Sequence, residues 1–211
     1  MRGTFIVFEG GEGSGKSSMS RFVVEQLVEE GVNAIRTREP GGSPYAELIR
    51  DVILHEHGKH ADAETMFGLF WAGRRDHMRH TIIPALTRGA VIICDRFDAS
   101  TYAYQIHGQE QPQLEHHFWR MRSHYVEPHV PNCYIIFDVD SATGLARAKG
   151  RQDGSTHFDD RELAFHERIR AGYSRFVNSS ESHIPHAIIN ANLPLLEVRN
   201  NTLNLVHQLL A

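Results

Sequence analysis

The sequence has little of what would place it in a membrane or outside the cell. Only two of its 211 residues are cysteines, Cys94 and Cys133, and each lies in an apolar run, where a buried free thiol is commoner than a disulfide. The longest apolar runs, such as 90–94 and 134–137, are much shorter than a membrane-spanning helix. Residues 1–4 lead into a strand pattern without a signal-peptide layout. These absences predict a cytoplasmic protein that does not enter membranes.

An excess of positive charge is also missing. Lys and Arg number 22 against 26 Asp and Glu, which gives a formal net charge of −4. A protein that coats nucleic acid needs a positive surface, so we expect no nucleic-acid partner, whereas a small anionic ligand needs only a local basic pocket. The 15 histidines occur without cysteine partners or an H-E-x-x-H motif, so we expect no zinc site.

Short apolar runs alternate with segments of helical spacing along the whole chain. Five runs predict strands, at 4–9, 34–38, 91–95, 133–138 and 187–190. The segments between and after them predict helices at 16–30, 45–54, 63–88 with an interruption near Pro84, 99–107, 112–125, 141–149, 159–178 and 195–210. This order predicts an α/β fold of three layers, with a five-stranded parallel sheet and helices on both faces. We find no repeat or linker and predict one domain over residues 1–211.

The turn after the first predicted strand carries the strongest motif. Residues 10–17 read GGEGSGKS, which fits G-x-x-x-x-G-K-[ST] between a strand and a helix, the pattern of a P-loop NTPase fold. Glycines allow backbone N–H groups to point at one anion, and the N-terminus of the next helix adds positive charge. Lys16 would reach the β- and γ-phosphates of ATP, and the Ser17 hydroxyl would ligate Mg²⁺. The predicted ATP-binding residues are Gly10, Gly11, Glu12, Gly13, Ser14, Gly15, Lys16, Ser17 and Ser18.

This loop by itself leaves an ATPase, a GTP switch and a kinase open. A GTP switch would carry a guanine-reading N-K-x-D segment after a late strand, where residues 190–193 instead read NANL. Two further strand ends favour a kinase. Arg38 ends one predicted strand and Arg96 directly follows another, both at the edge where ligands of parallel sheets bind, and the arginine fork suits phosphate oxygens. Asp95, at the end of an apolar strand, is placed to hold Mg²⁺ directly or through water.

Three segments together resemble the thymidylate kinases. Residues 93–105 read ICDRFDASTYAYQ and match the signature of that family, and the TREPGG at 37–42 and the FEGGEGSGK at 8–16 are typical of its bacterial members. The resemblance covers essentially the whole chain. It implies transfer of the γ-phosphoryl group of ATP to dTMP, giving dTDP and ADP, with Mg²⁺ as cofactor and a homodimer as the assembly.

The resemblance also implies roles for individual residues. Phe70 would stack on the thymine, and Arg74 would contact the edge of the base. Arg38 and Arg96 would bind the acceptor phosphate, while Glu9 would lie near the 3′-hydroxyl and that phosphate. Ser100 or Thr101, and Gln105, would hydrogen-bond the base or line its pocket. Tyr104 would lie against the sugar, where its bulk excludes a 2′-hydroxyl.

The chain departs from the family at two points. Some thymidylate kinases carry a catalytic arginine in the phosphate loop, but residues 12–14 read EGS. The resemblance then implies basic residues on a lid at about 147–158, and we predict that Arg151 is catalytic with Lys16 and Arg96. His157 stands where bacterial members typically have a permanent cation. Which lid residue acts, and whether dUMP or modified pyrimidines are accepted, stays open.

Two other functions remain open at this point. A deoxynucleoside kinase also has a P-loop and an Asp-Arg pair, but it phosphorylates a sugar hydroxyl with a carboxylate base directly after the first strand, close to where Glu9 stands. A non-catalytic nucleotide-binding regulator could carry the same phosphate loop. Turnover of thymidine rather than dTMP would indicate the first, and binding of ATP and dTMP without ADP production would indicate the second.

Overall fold

The structure, a computed structural model, describes residues 3–55, 58, 60–127, 129–150, 161–181 and 185–211. Its five strands form one sheet in the order β2-β3-β1-β4-β5, and each neighbouring pair is parallel. The strands are β1 (Thr4–Glu9), β2 (Ala34–Arg38), β3 (Val91–Asp95), β4 (Cys133–Asp138) and β5 (His186–Asn190). The predicted five-stranded parallel sheet is therefore confirmed, with its last strand beginning one residue earlier than predicted.

Helices cover both faces of the sheet, because successive side chains of each buried strand point to opposite sides. In β1, Phe5 and Val7 belong to one apolar core, and Ile6 and Phe8 belong to the other. Helices α1 (Lys16–Glu29) and α9 (Leu195–Leu210) pack on the core that contains Ile6. The opposite core is packed by α2 (Pro44–Leu54), α3 (Ala63–His77), α4 (Ile83–Thr87), α5 (Asp98–Thr101), α6 (Leu114–Tyr125) and α8 (Leu163–Val177).

Two predicted helices contain π-helical turns, and one of these turns lies next to the interruption predicted near Pro84. Residues 63–88 form α3, a π-helical segment Met78–Ile82 and then α4. The break precedes Pro84, whose ring removes an N–H donor and would clash with the carbonyl one turn earlier. Residues 98–108 form α5 and a second π-helical segment, Tyr102–Gly108. Such wide turns often occur at functional sites, and this one carries predicted substrate-binding residues.

The remaining elements agree with the predictions except at their ends. Helix α7 (Ser141–Lys149) has the predicted bounds, α6 begins two residues later than predicted, and α8 is described from Leu163. Both cysteines are buried and free, as predicted, and burial raises the pKa of the Cys133 thiol to about 11. Among the described helices, none combines the length and the apolar character that crossing a membrane requires.

The strand register brings the predicted site residues to one edge of the sheet. Asp95 is the register partner of Phe8 in β1 and of Arg38 in β2. The chain leaves β1, β2 and β3 at this level, since parallel strands end on the same side. The segments that follow Phe8, Arg38 and Asp95 therefore meet above the carboxyl ends of these strands.

Candidate active site

The phosphate loop connects β1 to α1 in a backbone conformation that glycine permits. Gly13 and Gly15 have φ angles of 68° and 82°, in the left-handed region that other residues rarely adopt. Gly15 is the N-cap of α1, so the N–H groups of the loop lie next to the N-terminus of that helix, which is its positive end. The Lys16 ammonium lies over the loop, 2.9 Å from the Gly11 carbonyl. This arrangement suits the phosphates of a nucleotide.

Glu9 ends β1 beneath the loop and is completely buried. Its carboxylate accepts hydrogen bonds from the backbone N–H of Phe97 at 2.7 Å and of Ser100 at 3.0 Å, and from the Ser100 hydroxyl at 2.6 Å. Tyr173 contributes a fourth donor at 3.1 Å. Burial raises the pKa of Glu9 to about 7, although the hydrogen bond from Ser100 and the charge of Arg96 oppose the shift. Glu9 thus ties the phosphate-loop strand to the segment after β3.

Arg96 is held in one orientation by contacts on both of its terminal nitrogens. Its backbone has a φ of 70°, which is uncommon for a residue with a side chain. One nitrogen lies 2.8 Å from the Glu12 carboxylate. The other lies 3.2 Å from the Gly10 carbonyl, 3.2 Å from the Ser100 hydroxyl and 3.1 Å from that of Tyr173. The acceptor-side arginine is therefore anchored directly on the phosphate loop.

Glu12 has a role that its motif position did not predict. The sequence places it in the loop only as a backbone contributor, but its side chain binds Arg96 and also accepts a hydrogen bond from Tyr104 at 2.8 Å. The Arg96 guanidinium lies 5.0 Å from the centroid of the Tyr104 ring. Glu12 thereby links the predicted ATP-binding loop to two predicted substrate-binding residues.

Tyr173 is the site residue that sequence reasoning missed. It lies on α8, about 80 residues along the chain from Arg96, and only 2% of it is exposed. Its hydroxyl is within 3.2 Å of Glu9, Gly10 and Arg96 and lies 2.9 Å from the Ser100 hydroxyl. On an amphipathic helix this residue has the pattern of any core tyrosine, so only the folded chain reveals its contacts.

Arg74 is deeper than the predicted contact with a base edge suggests. It is 1% exposed and donates to the Glu39 carboxylate at 2.8 Å, and to the Phe97 carbonyl and the Thr101 hydroxyl at 3.0 Å each. His77 contacts the other oxygen of Glu39 at 3.1 Å. One terminal nitrogen of Arg74, Nη1, is buried and has no hydrogen-bond partner within the described part of the chain. Most of this guanidinium therefore joins α3 to the segments after β2 and β3.

Three further predicted substrate-binding residues differ in exposure. Phe70 is half-buried and packs against the core on the α3 side. Thr101 is 1% exposed, and its hydroxyl accepts the bond from Arg74. Gln105 is fully buried; its carbonyl oxygen accepts from Gln109 at 2.5 Å, and its amide nitrogen is unpaired as far as the described residues extend. Arg74 and Gln105 thus each retain one buried donor.

Arg38 lies at the mouth of a separate concavity beside β2. Its guanidinium pairs with Glu47 at 2.9 Å, and both side chains are more than 40% exposed, so the pair is weak. The cavity has a volume of about 520 Å³ and is lined by Arg36, Thr37, Arg38, Gly42, Ser43, Pro44, Glu47 and Thr81. Arg38 ends β2 and Arg96 follows β3, and these two strands are adjacent in the sheet.

Asp95 and Ser17 are compatible with a bound divalent cation. Asp95 pairs with Arg36 through one oxygen at 3.4 Å. Its other oxygen, Oδ1, is buried and finds no hydrogen-bond partner among the residues that the structure describes. Ser17 is exposed in the first turn of α1. A carboxylate oxygen and a hydroxyl are the hard donors that Mg²⁺ takes from a protein when phosphates supply others, so the donor set fits this ion.

The predicted lid is only partly described. Arg151 and His157 lie outside the described residues. Arg147, another cation of the predicted lid, donates to the Ala191 carbonyl at 2.7 Å. It therefore holds the turn between β5 and α9.

A buried ion pair lies behind the segment that carries Arg96. Asp98, the first residue of α5, is fully buried and accepts a hydrogen bond from Arg122 of α6 at 2.7 Å. The Tyr134 hydroxyl of β4 donates to the other oxygen of Asp98. Burial and the neighbouring carboxylate raise the pKa of Tyr134 well above its usual value. These contacts attach α5 to two elements outside the site.

Comparison with known proteins identifies similar sequences over nearly the whole chain. The family model described as Thymidylate kinase matches residues 8–202. The thymidylate kinase of Shouchella clausii (strain KSM-K16) is 36% identical over 99% of this chain and 97% of its own length. Those of Caulobacter vibrioides and Ruegeria pomeroyi are 44% and 43% identical over 82% and 81% of this chain, and the matches cover 81% and 80% of those proteins.

Proposed function

The chain belongs to the thymidylate kinase family, and we propose that it transfers the γ-phosphoryl group of ATP to dTMP, giving dTDP and ADP. One observation carries this proposal. The side chain of Glu12, in the phosphate loop, binds Arg96, which follows β3 in the dTMP kinase signature. A donor site and an acceptor site built on one connected set of contacts suit direct transfer between two nucleotides.

The proposed mechanism relies on positioning and neutralisation of charge. The loop N–H groups and Lys16 hold the β- and γ-phosphates, while Arg96 and Arg38 hold the phosphate of dTMP in line with them. Charge that develops on the transferred group is stabilised by donors already in place. The acceptor phosphate is itself the nucleophile and needs no strong base at neutral pH. We propose that Arg151, on a lid at about 147–158, adds a further positive charge.

Mg²⁺ is the proposed cofactor, held by Ser17 and, directly or through water, by Asp95. When bound, it would neutralise charge on the ATP phosphates. The buried Oδ1 of Asp95, which has no hydrogen-bond partner among the described residues, supports this assignment.

For the thymidine part of dTMP we propose the residues of the acceptor pocket. Phe70 stacks on the base, and Nη1 of Arg74 faces its edge. Tyr104, fixed by Glu12, lies against the sugar, and Glu9 lies near its 3′-hydroxyl. Ser100, Thr101 and Gln105 complete the pocket.

The deoxynucleoside kinase alternative receives less support from the surroundings of Glu9. Both oxygens of that carboxylate accept hydrogen bonds from Phe97, Ser100 and Tyr173. A group that is occupied in this way holds the segment after β3 in place and is poorly placed to remove a proton from a sugar.

We further propose that the chain forms one domain over residues 1–211, works in the cytoplasm and assembles as a homodimer. Helix α2 supports the assembly. Tyr45, Leu48 and Val52 recur at helical spacing and are 68%, 61% and 54% exposed. A stripe of large apolar side chains on one helix is a typical protein contact surface, and a second copy would cover it.

A coupled assay of ADP release tests the function. The protein receives Mg²⁺, ATP and one acceptor from a panel of nucleoside monophosphates plus thymidine, with Lys16→Ala as the inactive control. We expect dTMP to be the best acceptor. Turnover of thymidine but not of dTMP would refute the proposal in favour of a deoxynucleoside kinase. Binding of ATP and dTMP without ADP production would indicate a non-catalytic regulator.

A further inference from the structure

Two glycines from distant parts of the chain meet face to face at the phosphate loop. Gly13 lies within the loop, and Gly144 lies in the middle of α7, the helix that follows β4. Gly144 is buried, although glycine inside a helix costs about 1 kcal/mol relative to alanine. This unfavourable choice has a steric explanation.

The backbones at this contact are too close for a side chain. A Cβ atom on Gly144 would lie 2.4 Å from the Glu12 carbonyl oxygen and 3.2 Å from a methyl group of Val139. A Cβ on Gly13 would lie 1.9 Å from the Gly144 carbonyl oxygen. Ordinary van der Waals contact begins at 3.4 Å. Helix α7 therefore rests directly on the Glu12–Gly13 peptide.

This contact determines which way the loop peptide faces. The carbonyl of Glu12 points at α7, and in a trans peptide the N–H of the next residue points to the opposite side. The N–H of Gly13 is consequently directed away from the helix. A phosphate-binding loop works through N–H groups that all point at the anion, so a helix that sets one peptide plane also sets part of the phosphate site.

We propose that Gly144 is a positioning residue for the phosphates of ATP. Its missing side chain lets α7 lie against the Glu12–Gly13 peptide and hold the curl of the loop. This inference rests on the proposed use of the loop for ATP. It adds a residue that lies outside the loop motif and some 130 positions from it along the chain.

The test is Gly144→Ala, studied by isothermal titration with ATP and Mg²⁺ and, separately, with dTMP. To relieve a 2.4 Å contact to 3.4 Å, the loop or the helix must shift by 1 Å, and a shift of this size at a reacting group costs about 100-fold in rate. We expect the affinity for ATP to fall by about tenfold or more, and the affinity for dTMP alone to fall less, through the contacts of the Glu12 side chain with Arg96 and Tyr104.

Gly68→Ala is the matched control. Gly68 is also inside a helix, α3, but a Cβ there would meet no atom within 4 Å. Alanine should leave both affinities unchanged and leave or raise the melting temperature, because it favours the helix.

The outcomes separate positioning from stability and from the function itself. Unchanged ATP affinity in Gly144→Ala, or equal losses for ATP and dTMP, would overturn the proposal. So would a variant that is unfolded by circular dichroism at 10 °C, since Gly144 would then serve the fold. The titrations do not require turnover, so a parent protein that binds ATP but fails to phosphorylate dTMP would refute the function and leave this test intact.

Discussion

At the residue scale, the centre of the site is a small network of hydroxyl and carboxyl groups around Arg96. Tyr173 contributes to it a single hydroxyl, which contacts Glu9, Ser100 and Arg96. Because the ring of this tyrosine is buried in the core, the hydroxyl can be removed without changing the packing.

Tyr173→Phe should lower kcat/KM for dTMP by about tenfold, the cost of one hydrogen bond to a charged group. The Arg96 guanidinium would lose one of its fixed contacts, so we expect the KM for ATP to change little. Steady-state kinetics with each substrate varied will measure both parameters.

Tyr102→Phe is the control, because it removes the hydroxyl of another core tyrosine, which donates to Glu115 at 2.5 Å outside the site. It should leave the kinetics at parent values. Equal losses in the two variants would assign Tyr173 to stability only.

Glu9 should make stability depend on pH in a defined window. Folding raises the pKa of its carboxyl from 4.5 to about 7. Between these values the folded chain keeps a proton that the unfolded chain has lost, so this group's contribution to the free energy of unfolding falls as pH rises. The contribution is fully present below pH 4.5 and is lost above about pH 7.

Glu9→Gln removes this titration. The melting temperature of the variant minus that of the parent should therefore rise between pH 4.5 and pH 8, measured by scanning calorimetry. A difference that is constant with pH, or that falls, would contradict the assigned shift. The difference in melting temperature at pH 4.5 gives the effect of any hydrogen bonds lost in the variant. The differences at higher pH are compared with this value.

At the element scale, α5 is held in place by a buried ion pair, at a position where an apolar contact would be enough for packing. Asp98 of α5 is buried with Arg122 of α6 and Tyr134 of β4. Since α5 begins two residues after Arg96, this pairing also maintains the direction in which the acceptor segment leaves β3.

Asp98→Asn should destabilise the fold by about 3–5 kcal/mol, because it leaves the Arg122 charge buried without a counter-charge. Denaturant unfolding followed by circular dichroism will measure the loss. Glu30→Gln, which removes the acid of an exposed pair with His207, should cost about 1 kcal/mol or less. Similar losses of unfolding free energy in both variants would show that the buried Asp98 pair contributes no more to stability than an exposed pair.

The interrupted helices also belong to this scale. Helical spacing predicts helix at 63–88, with an interruption near Pro84, and at 99–107, and both segments are helical. The wide turns Met78–Ile82 and Tyr102–Gly108 were not predicted, because a π-helical turn has nearly the same apolar pattern as an α-helical one. The segment Tyr102–Gly108 packs against α8 and α3, and Met78–Ile82 joins α3 to α4.

At the scale of the whole molecule, the apolar stripe of α2 is the feature that assembly would explain. Leu48→Glu places a charge in the middle of Tyr45, Leu48 and Val52. We expect it to convert a dimer into a monomer in analytical ultracentrifugation. Burying an unpaired carboxylate in the interface costs far more free energy than burying the leucine there contributes.

Leu196→Glu is the matched control on α9, where the leucine is 68% exposed. It should remain a dimer with the parent's sedimentation coefficient. A monomeric parent, or a Leu48→Glu variant that stays dimeric, would refute the proposed surface.

The sequence by itself determined the fold class, the phosphate loop and the edge of the sheet where the site lies. These follow from local causes: buried parallel strands need continuous apolar runs, and a loop that curls around phosphate needs glycines next to a lysine. The family signature at 93–105 added the acceptor side, since its residues follow one strand and stay together in any fold that keeps that strand.

Only the tertiary structure decided the contacts between distant segments. The Glu12 side chain reaches Arg96, Tyr173 joins the network from α8, and α7 lies on the phosphate loop because Gly144 has no side chain. No pattern of spacing marks these three residues, because their partners are brought close by the order of the strands and not by the sequence around them. The phosphate loop is therefore a local motif whose orientation is set by the rest of the chain.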